Sequence, residues 1–522
     1  MQTYEAENWL GKMADLLPNG APRMPDWSFS TSPGRWHTYE WLVIVGAIVA
    51  FAMAWAIGAN DVANAFGTSV GAKTVKLWQA CLIASIFEFG GSIALGSQVT
   101  ATVAGSITSA SYFKSVPEVF AFGMLCALIA AWLWVTTATY LEMAVSTTHS
   151  IIGAIMGFGL VYGGSQAIVW DRVTTKFPYR EGLTPIVIAW FTSPILSGAV
   201  AAFLLTLNRV FILRRANSTL LALIFLPPLV TLTIFINVFF VLYKGARATL
   251  AWSDDKAAWV AICVAGGCGL LTIPLVLLLR RRLAIHVNKH GSMHPAQQPE
   301  PELARDSRDW QVQDEAGAGW GARLYRRLVH SLTVDVHEDL HKDEAVAAMH
   351  SAAEVFDPRT EEVYKYLQVF SACCVSFAHG ANDVANAVGP FSAIWAVYNT
   401  RHISSTAATP IWVLALGGAG LVTGLATYGY NIIKVLGVKM AKMTPSRGYC
   451  AELATSFTVA LASVYGLPVS TTHCIVGGEV GVGMVEGLRE GANWKLLLKT
   501  ICAWGVTLVA AGGGVGSPVL VR

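Results

Sequence analysis

The octapeptide GANDVANA fills Gly58–Ala65 and returns letter for letter at Gly380–Ala387. Each copy sets an Asp beside two Asn inside strongly apolar sequence. On a helix, Asn60 and Asn64 share a face with Asp61 beside them, and Asn382, Asp383 and Asn386 repeat the arrangement. Carboxylate plus amide oxygen is hard-oxygen chemistry, suited to alkali or alkaline-earth cations rather than to zinc or copper. The plainer alternative is that these residues cap helix ends at a kink; two copies at matched places favour a cation site. Gly58 at the head of the motif permits a local break, which would free backbone carbonyls as further ligands.

A second motif, VSTTH, also occurs twice, at Val145–His149 and Val469–His473. A Ser/Thr cluster before a glycine-spaced apolar run is a helix-start signature, and Pro468 reinforces the break in the second copy. The first amides of such a helix are unpaired and its dipole is positive there, so the end attracts anions. Ser146, Thr147 and Thr148, with Ser470, Thr471 and Thr472, add rotatable hydroxyl donors. Two such ends facing one another would cradle an anion without lysine. The alternative is ordinary capping with glycine-mediated helix packing. His149 and His473 follow the threonines directly and suit either a structural hydrogen bond or a substrate or proton role.

These motifs need a membrane scaffold. Only 13% of the 522 residues are charged and 54% are hydrophobic, against about 25% charged in an average soluble domain. Apolar runs about as long as a bilayer core requires fall near 41–57, 77–97, 119–140, 146–163, 184–206, 221–243, 259–279, 366–379, 411–433, 450–464, 467–485 and 496–511. They predict an all-α polytopic membrane protein of about 12 segments. Inside these runs stand Asp61, Glu88, Glu142, Asp383, Glu452 and Glu479, with no Lys or Arg at comparable depth. Each such acid costs about 2.5–3.5 kcal/mol at a helix centre, so protons or metal cations must compensate them. The nine cysteines lie in or beside apolar segments without metal-ligand spacing and read as small buried hydrophobes.

The chain divides into an extramembrane segment at 1–36, a first membrane repeat with additional spans at 37–279, a polar loop at 280–365 and a second repeat at 366–522. The N-terminal segment does not resemble a secretory signal. Arg280, Arg281 and Arg282 open the loop, while Arg209, Arg214 and Arg215 follow a span two crossings earlier. Arginines clustered at span ends place that side, and the loop, in the cytoplasm. Within the loop, HEDLHKDEAVAAMH (337–350) reads as a surface helix whose face carries Leu340, Val346, Met349, Ala353 and Phe356, rather than as metal ligands.

The halves are duplicates. Asp61 precedes Ser146 by 85 residues and Asp383 precedes Ser470 by 87; Gly153, Gly157 and Gly159 after the first VSTTH match Gly477, Gly481 and Gly483 after the second. Seven segments separate the octapeptides, an odd number, so the second half is inverted. Re-entrant hairpins at 119–163 and 450–485 would leave that parity unchanged. Inverted repeats with discontinuous helices at the midplane are characteristic of secondary transporters.

Taken together, GANDVANA, the stretch WQACLIASIFEFGGS (78–92) and the paired VSTTH motifs resemble the inorganic phosphate transporter (PiT) family of symporters, over nearly the whole chain except 1–36 and most of 283–360. The resemblance implies cotransport of inorganic phosphate with cations, sodium in most eukaryotic members and protons in some others. It also implies site roles for Asp61, Asp383, Ser146, Ser470 and the two glutamates Glu88 and Glu452, which serve as coupling or second-cation groups. By simple repeat offset the glutamates have no partners, since Pro410 and Leu128 stand at the equivalent counts; they break the two-fold symmetry.

The expectation is therefore a symporter in which the VSTTH ends hold phosphate and Asn60, Asp61, Asn64, Asn382, Asp383 and Asn386 hold sodium. No cofactor is expected beyond Na+ as co-transported ion. The partners are phosphate, sodium ions (or protons), the lipid bilayer and a second copy as a homodimer, without nucleic acid, in the plasma membrane. Proton coupling is the nearer alternative; a nutrient receptor or scaffold signalling through the loop is the other. No protease motif supports an intramembrane enzyme.

Overall fold

The computed structural model describes residues 37–105, 107–109, 112–173, 175, 179–242, 252–290, 329, 331, 334, 336–337, 343–403, 409–464 and 469–515. Residues 1–36, the greater part of the 280–365 loop, Leu340 and Pro468 lie outside that set. Helices dominate: α1 (Glu40–Asn60), α2 (Ala63–Gly71), α3 (Leu77–Gly105), α4 (Pro117–Tyr140), α5 (Thr147–Gly163), α6 (Leu183–Asn208) with a π turn at Arg209–Leu213, α7 (Ser218–Val241) and α8 (Asp254–His290) form the first part. After the loop come α9 (Glu344–Ala352), α10 (Pro358–Thr400), α11 (Ile411–Tyr428), α12 (Tyr430–Lys434) with a π turn at Val435–Met440, α13 (Pro445–Val464), α14 (Thr471–Glu486) and α15 (Trp494–Val515). A two-residue antiparallel hairpin, Arg172–Val173 with Arg180–Glu181, is the one sheet among the described residues.

All twelve apolar runs fall on helices, so this is an α-helical integral membrane protein. Among the described residues, eight helical stretches are long and apolar enough to cross a membrane. The runs outside those eight lie on α5, α10, α13 and α14. Those four helices carry both VSTTH motifs, the second octapeptide and Glu452; α5 (17 residues) and α14 (16 residues) begin at their serine caps and are short for a full span.

The duplication is visible in the packing. Helix α3 runs along α10, and in the matching place α11 runs along α1; α6 packs on α14 as α15 packs on α5. Glycines set these contacts. A Cβ on Gly477 or Gly481 would stand 2.2 Å from the carbonyl oxygen of Pro194 or Gly198, and one on Gly157 would stand 2.3 Å from that of Gly512. The glycine spacing behind each VSTTH thus works as close helix packing.

Two expectations are corrected. Glu142 is not buried at depth: α4 ends at Tyr140, and Glu142 follows in a turn with φ 54°, its side chain 49% exposed and 3.6 Å from Lys439 Nζ. An arginine is buried after all: Arg447, fully enclosed, reaches the Glu486 carboxylate at 2.9 Å and the Glu354 carbonyl at 2.7 Å. It sits in the first turn of α13, where the span meets the loop, so an ion pair can form between elements that the sequence keeps apart.

Around it the loop's end is tied down. Arg214 forks onto both oxygens of Glu354 (2.9 and 3.0 Å), Arg209 pairs with the same carboxylate, and Glu354 N donates to Glu486 Oε2 at 2.8 Å. Partial burial pulls the Glu354 carboxyl upward, but the arginine hydrogen bonds and charges outweigh it and hold it below the usual carboxylate range. Helix α9 buries Val346 and Met349, with Ala353 and Phe356 continuing that face, the surface-helix pattern expected; Leu340 is outside the described residues.

Adding a methyl group at Gly157 or Gly481 should overpack equivalent contacts. Each Gly→Ala variant is expected to lose about 1–3 kcal/mol, read as a lowered melting temperature in detergent; unchanged melting would refute the close-packing role.

Candidate functional site

The two octapeptides and the two VSTTH motifs converge on one buried cluster. In the first copy α1 gives way at Asp61 and Val62 before α2 begins, with Asn64 N bonding back to Asp61 O (2.8 Å) in an i+3 pattern. Gly58 itself stays helical three residues earlier, where a Cβ would stand 1.9 Å from the Leu421 carbonyl oxygen, so it serves close packing. The second copy runs unbroken within α10, so the two motifs have the same letters and different backbones.

Both VSTTH copies are helix starts. Ser146 Oγ accepts from His149 N (3.2 Å) at the head of α5, and Ser470 Oγ accepts from His473 N (3.3 Å) at the head of α14. The serines therefore cap, and each keeps its own O–H as a donor. The threonines beyond them reach across. Thr147 Oγ1 donates to Asp61 Oδ2 at 2.5 Å and Thr472 Oγ1 to Asp61 Oδ1 at 2.8 Å, while Thr471 Oγ1 donates to Asp383 Oδ2 at 2.7 Å. Asn64 Nδ2 donates to Thr471 and Thr472 (3.3 and 3.0 Å), and Asn386 Nδ2 makes the mirrored bonds to Thr147 and Thr148 (3.3 and 3.1 Å). Each repeat's octapeptide thus holds the other repeat's helix start.

Asn60 and Asn382 serve the approach to the VSTTH motifs. Asn60 Oδ1 accepts from Val145 N (3.1 Å) and its amide donates to Thr139 and Met143 O; Asn382 donates to Asp383 Oδ1 (2.8 Å) and to Val469 O (3.4 Å). Asn64 Oδ1 is buried without a hydrogen-bond partner among the described residues. It is an oxygen acceptor left over at the cluster, which fits a cation ligand.

Sequence reasoning missed His379. Its Nδ1 lies 3.0 Å from Glu88 Oε2 and its Nε2 2.8 Å from Asp383 Oδ2, the latter a close approach off the line of a good hydrogen bond. Asp61, His379 and Asp383 each bring one ligand atom, all within 4.8 Å of one another. A signal was present: His379 precedes the second octapeptide, four residues before Asp383, where the first copy has Ile57. Glu88 is therefore fastened to the cluster through His379. The asymmetry expected for it holds, with a different counterpart: the backbone of Glu88 meets Gly380 as that of Leu421 meets Gly58, so Leu421, not Pro410, stands opposite.

Glu452 lies apart. Its Oε1 accepts from Thr68 (2.6 Å), Ser69 (2.7 Å) and Gln368 (3.1 Å), and its Oε2 from Ser371. Twelve residues of helix separate Ser371 from Asp383, about 18 Å at 1.5 Å per residue. His149 and His473 meet each other, ring centroids 4.5 Å apart, with His149 against Trp190 and His473 stacked on Trp504 at 3.7 Å. The structure brings this pair together directly after the threonines, packed on aromatic rings.

The sequence pattern of the phosphate transporter family matches residues 57–514. The chain belongs to that family. Among its relatives, a phosphate-repressible phosphate permease of Neurospora crassa is 30% identical, with 91% of this chain and 96% of the relative covered. Sodium-dependent phosphate transporter 2 of Felis catus is also 30% identical over the same shares. A solved structure titled "The sodium-dependent phosphate transporter" is 30% identical with a TM-score of 0.69, covering 91% of this chain and 97% of that one. The protein is a transporter and not an enzyme.

Removing the Thr472 hydroxyl without changing its shape tests the cluster. Thr472→Val should cut phosphate uptake at least tenfold in folded protein, because Asp61 loses a donor and Asn64 an acceptor. Thr458→Val, whose hydroxyl bonds only its own helix at Ala454 O, should leave uptake unchanged.

Proposed function

We propose that this chain is a secondary active symporter that moves inorganic phosphate with sodium ions. One observation carries the reading: the threonines at the anion-attracting helix starts donate directly into the Asp61 and Asp383 carboxylates. An anion bound at those helix ends therefore sits beside two carboxylates. Two like unit charges about 4 Å apart repel by about 4 kcal/mol at an effective dielectric of about 20, more than one charge-assisted hydrogen bond returns. Phosphate can occupy this place only with cations interposed.

In this reading Asp61, Asp383 and the amide oxygens of Asn60, Asn64, Asn382 and Asn386 face the cations. The hydroxyls of Ser146, Thr147, Thr148, Ser470, Thr471 and Thr472, with the free amides of α5 and α14, face phosphate. Glu452 supplies a second cation site and Glu88 couples to the first through His379. The names of the relatives support sodium as the ion. Each ligand lowers the cost of binding the other, and that coupling is reciprocal. In the proposed arrangement the two repeats, 37–279 and 366–522, are inverted about this midplane cluster, with the 280–365 loop on the cytoplasmic side of the plasma membrane.

Purified protein in liposomes provides the test. Phosphate uptake should fall at least tenfold when external sodium is replaced by potassium, and phosphate should raise sodium affinity in the same preparation. Uptake driven by a pH gradient without sodium would overturn sodium coupling in favour of protons.

A further inference from the structure

Glu479 lies nine residues after Ser470 on α14, and nine residues after Ser146 the first repeat carries Ile155. Both side chains are fully buried. One repeat therefore keeps a carboxyl where its twin keeps a hydrocarbon. Glu479 shares its helix face with Ile475, Val482 and Gly483; Ile475 and Val482 belong to the apolar core that holds Phe66, Val70, Leu436 and Val438. Neither carboxyl oxygen of Glu479 has a hydrogen-bond partner among the described residues.

The charged groups on the elements packed against α14 are engaged elsewhere. Arg209, at the end of α6, pairs with Glu354; Arg447 on α13 pairs with Glu486; Glu452 on α13 is held by its four donors; Lys439 in the π turn faces Glu142. Of the remaining titratable groups, Tyr449 bonds Thr233, His473 stacks on Trp504, the Cys450 thiol accepts from Asn208 Nδ2, and Cys474 is a buried free thiol. Helix α2 contributes no ionisable residue.

A bare carboxylate in such a place is strongly disfavoured against its neutral form. A hard cation would need a shell of oxygen ligands, whereas the neighbours on this face are hydrocarbon. A proton needs no shell. We propose that Glu479 is a proton-binding site on α14: its carboxyl carries a proton in this packed arrangement and releases it only when α14 moves off its apolar bed. Raising the pH then penalises return to the packed state, and transport cycles that pass through it slow down.

Two measurements test this, and the first does not depend on the transport reading. Infrared difference spectra between wild type and Glu479→Gln in lipid nanodiscs at neutral pH should show loss of a protonated carboxylic acid band; loss of a carboxylate band instead would overturn the proposal. Second, the ratio of sodium-driven phosphate uptake in Glu479→Gln to that in wild type should rise several-fold from acidic to alkaline pH. Taking the ratio removes the titration of phosphate itself, and a flat ratio would overturn the coupling to α14 movement. Should Glu479→Gln fail to fold, Glu479→Ile, which copies Ile155, replaces it in both measurements. Absence of phosphate uptake in wild type would sink the symporter reading while leaving the infrared result decisive for Glu479.

Discussion

Two aspartates buried where the repeats meet set the terms for the rest of the molecule. Among the described residues no lysine or arginine pairs with Asp61 or Asp383; hydroxyls of Thr147, Thr471 and Thr472, the amides of Asn382 and Asn386 and the imidazole of His379 are what reach them. Those hydroxyls come from helix starts whose own amides attract negative charge. In the proposed symporter the carboxylates and the anion site are therefore fused, and their summed negative charge calls for cations or protons as partners.

Holding that cluster requires the repeats to grip each other closely. The octapeptide of one half bonds the threonines of the other, and glycines let backbones approach to where a Cβ would collide. At the loop side, Arg209, Arg214 and Arg447 gather Glu354 and Glu486 into one knot that joins the ends of α6, α13 and α14 to the segment entering α10. Arg214 and Glu354 in this knot are partly exposed to water, whereas the enclosed Arg447 relies on Glu486 and the Glu354 carbonyl.

The two-fold pattern is broken at a few places, each chemical. Ile57 answers His379, Leu421 answers Glu88 and Ile155 answers Glu479. In all three the second half or its partner helix carries the ionisable group and the matching place is aliphatic. The octapeptide breaks in the first copy and runs on as helix in the second. The duplicated scaffold thus carries unequal charge in its two halves.

Much of this was legible in the letters. Apolar run lengths located the long helices, eight of which among the described residues suit a membrane crossing, because crossing a bilayer constrains length and polarity within one segment. The paired motifs named the cluster, because helix capping and oxygen-rich ligation depend on residues a few positions apart: Ser146 and Ser470 cap as their position implies. What lay hidden was every contact made across the repeats. His379 bridging Glu88 and Asp383, the enclosure of Arg447, the exposure of Glu142 and the fusion of threonine with aspartate all join residues far apart in the chain. Short-range sequence fixes which groups are present and which helix bears them; only packing decides which of them meet.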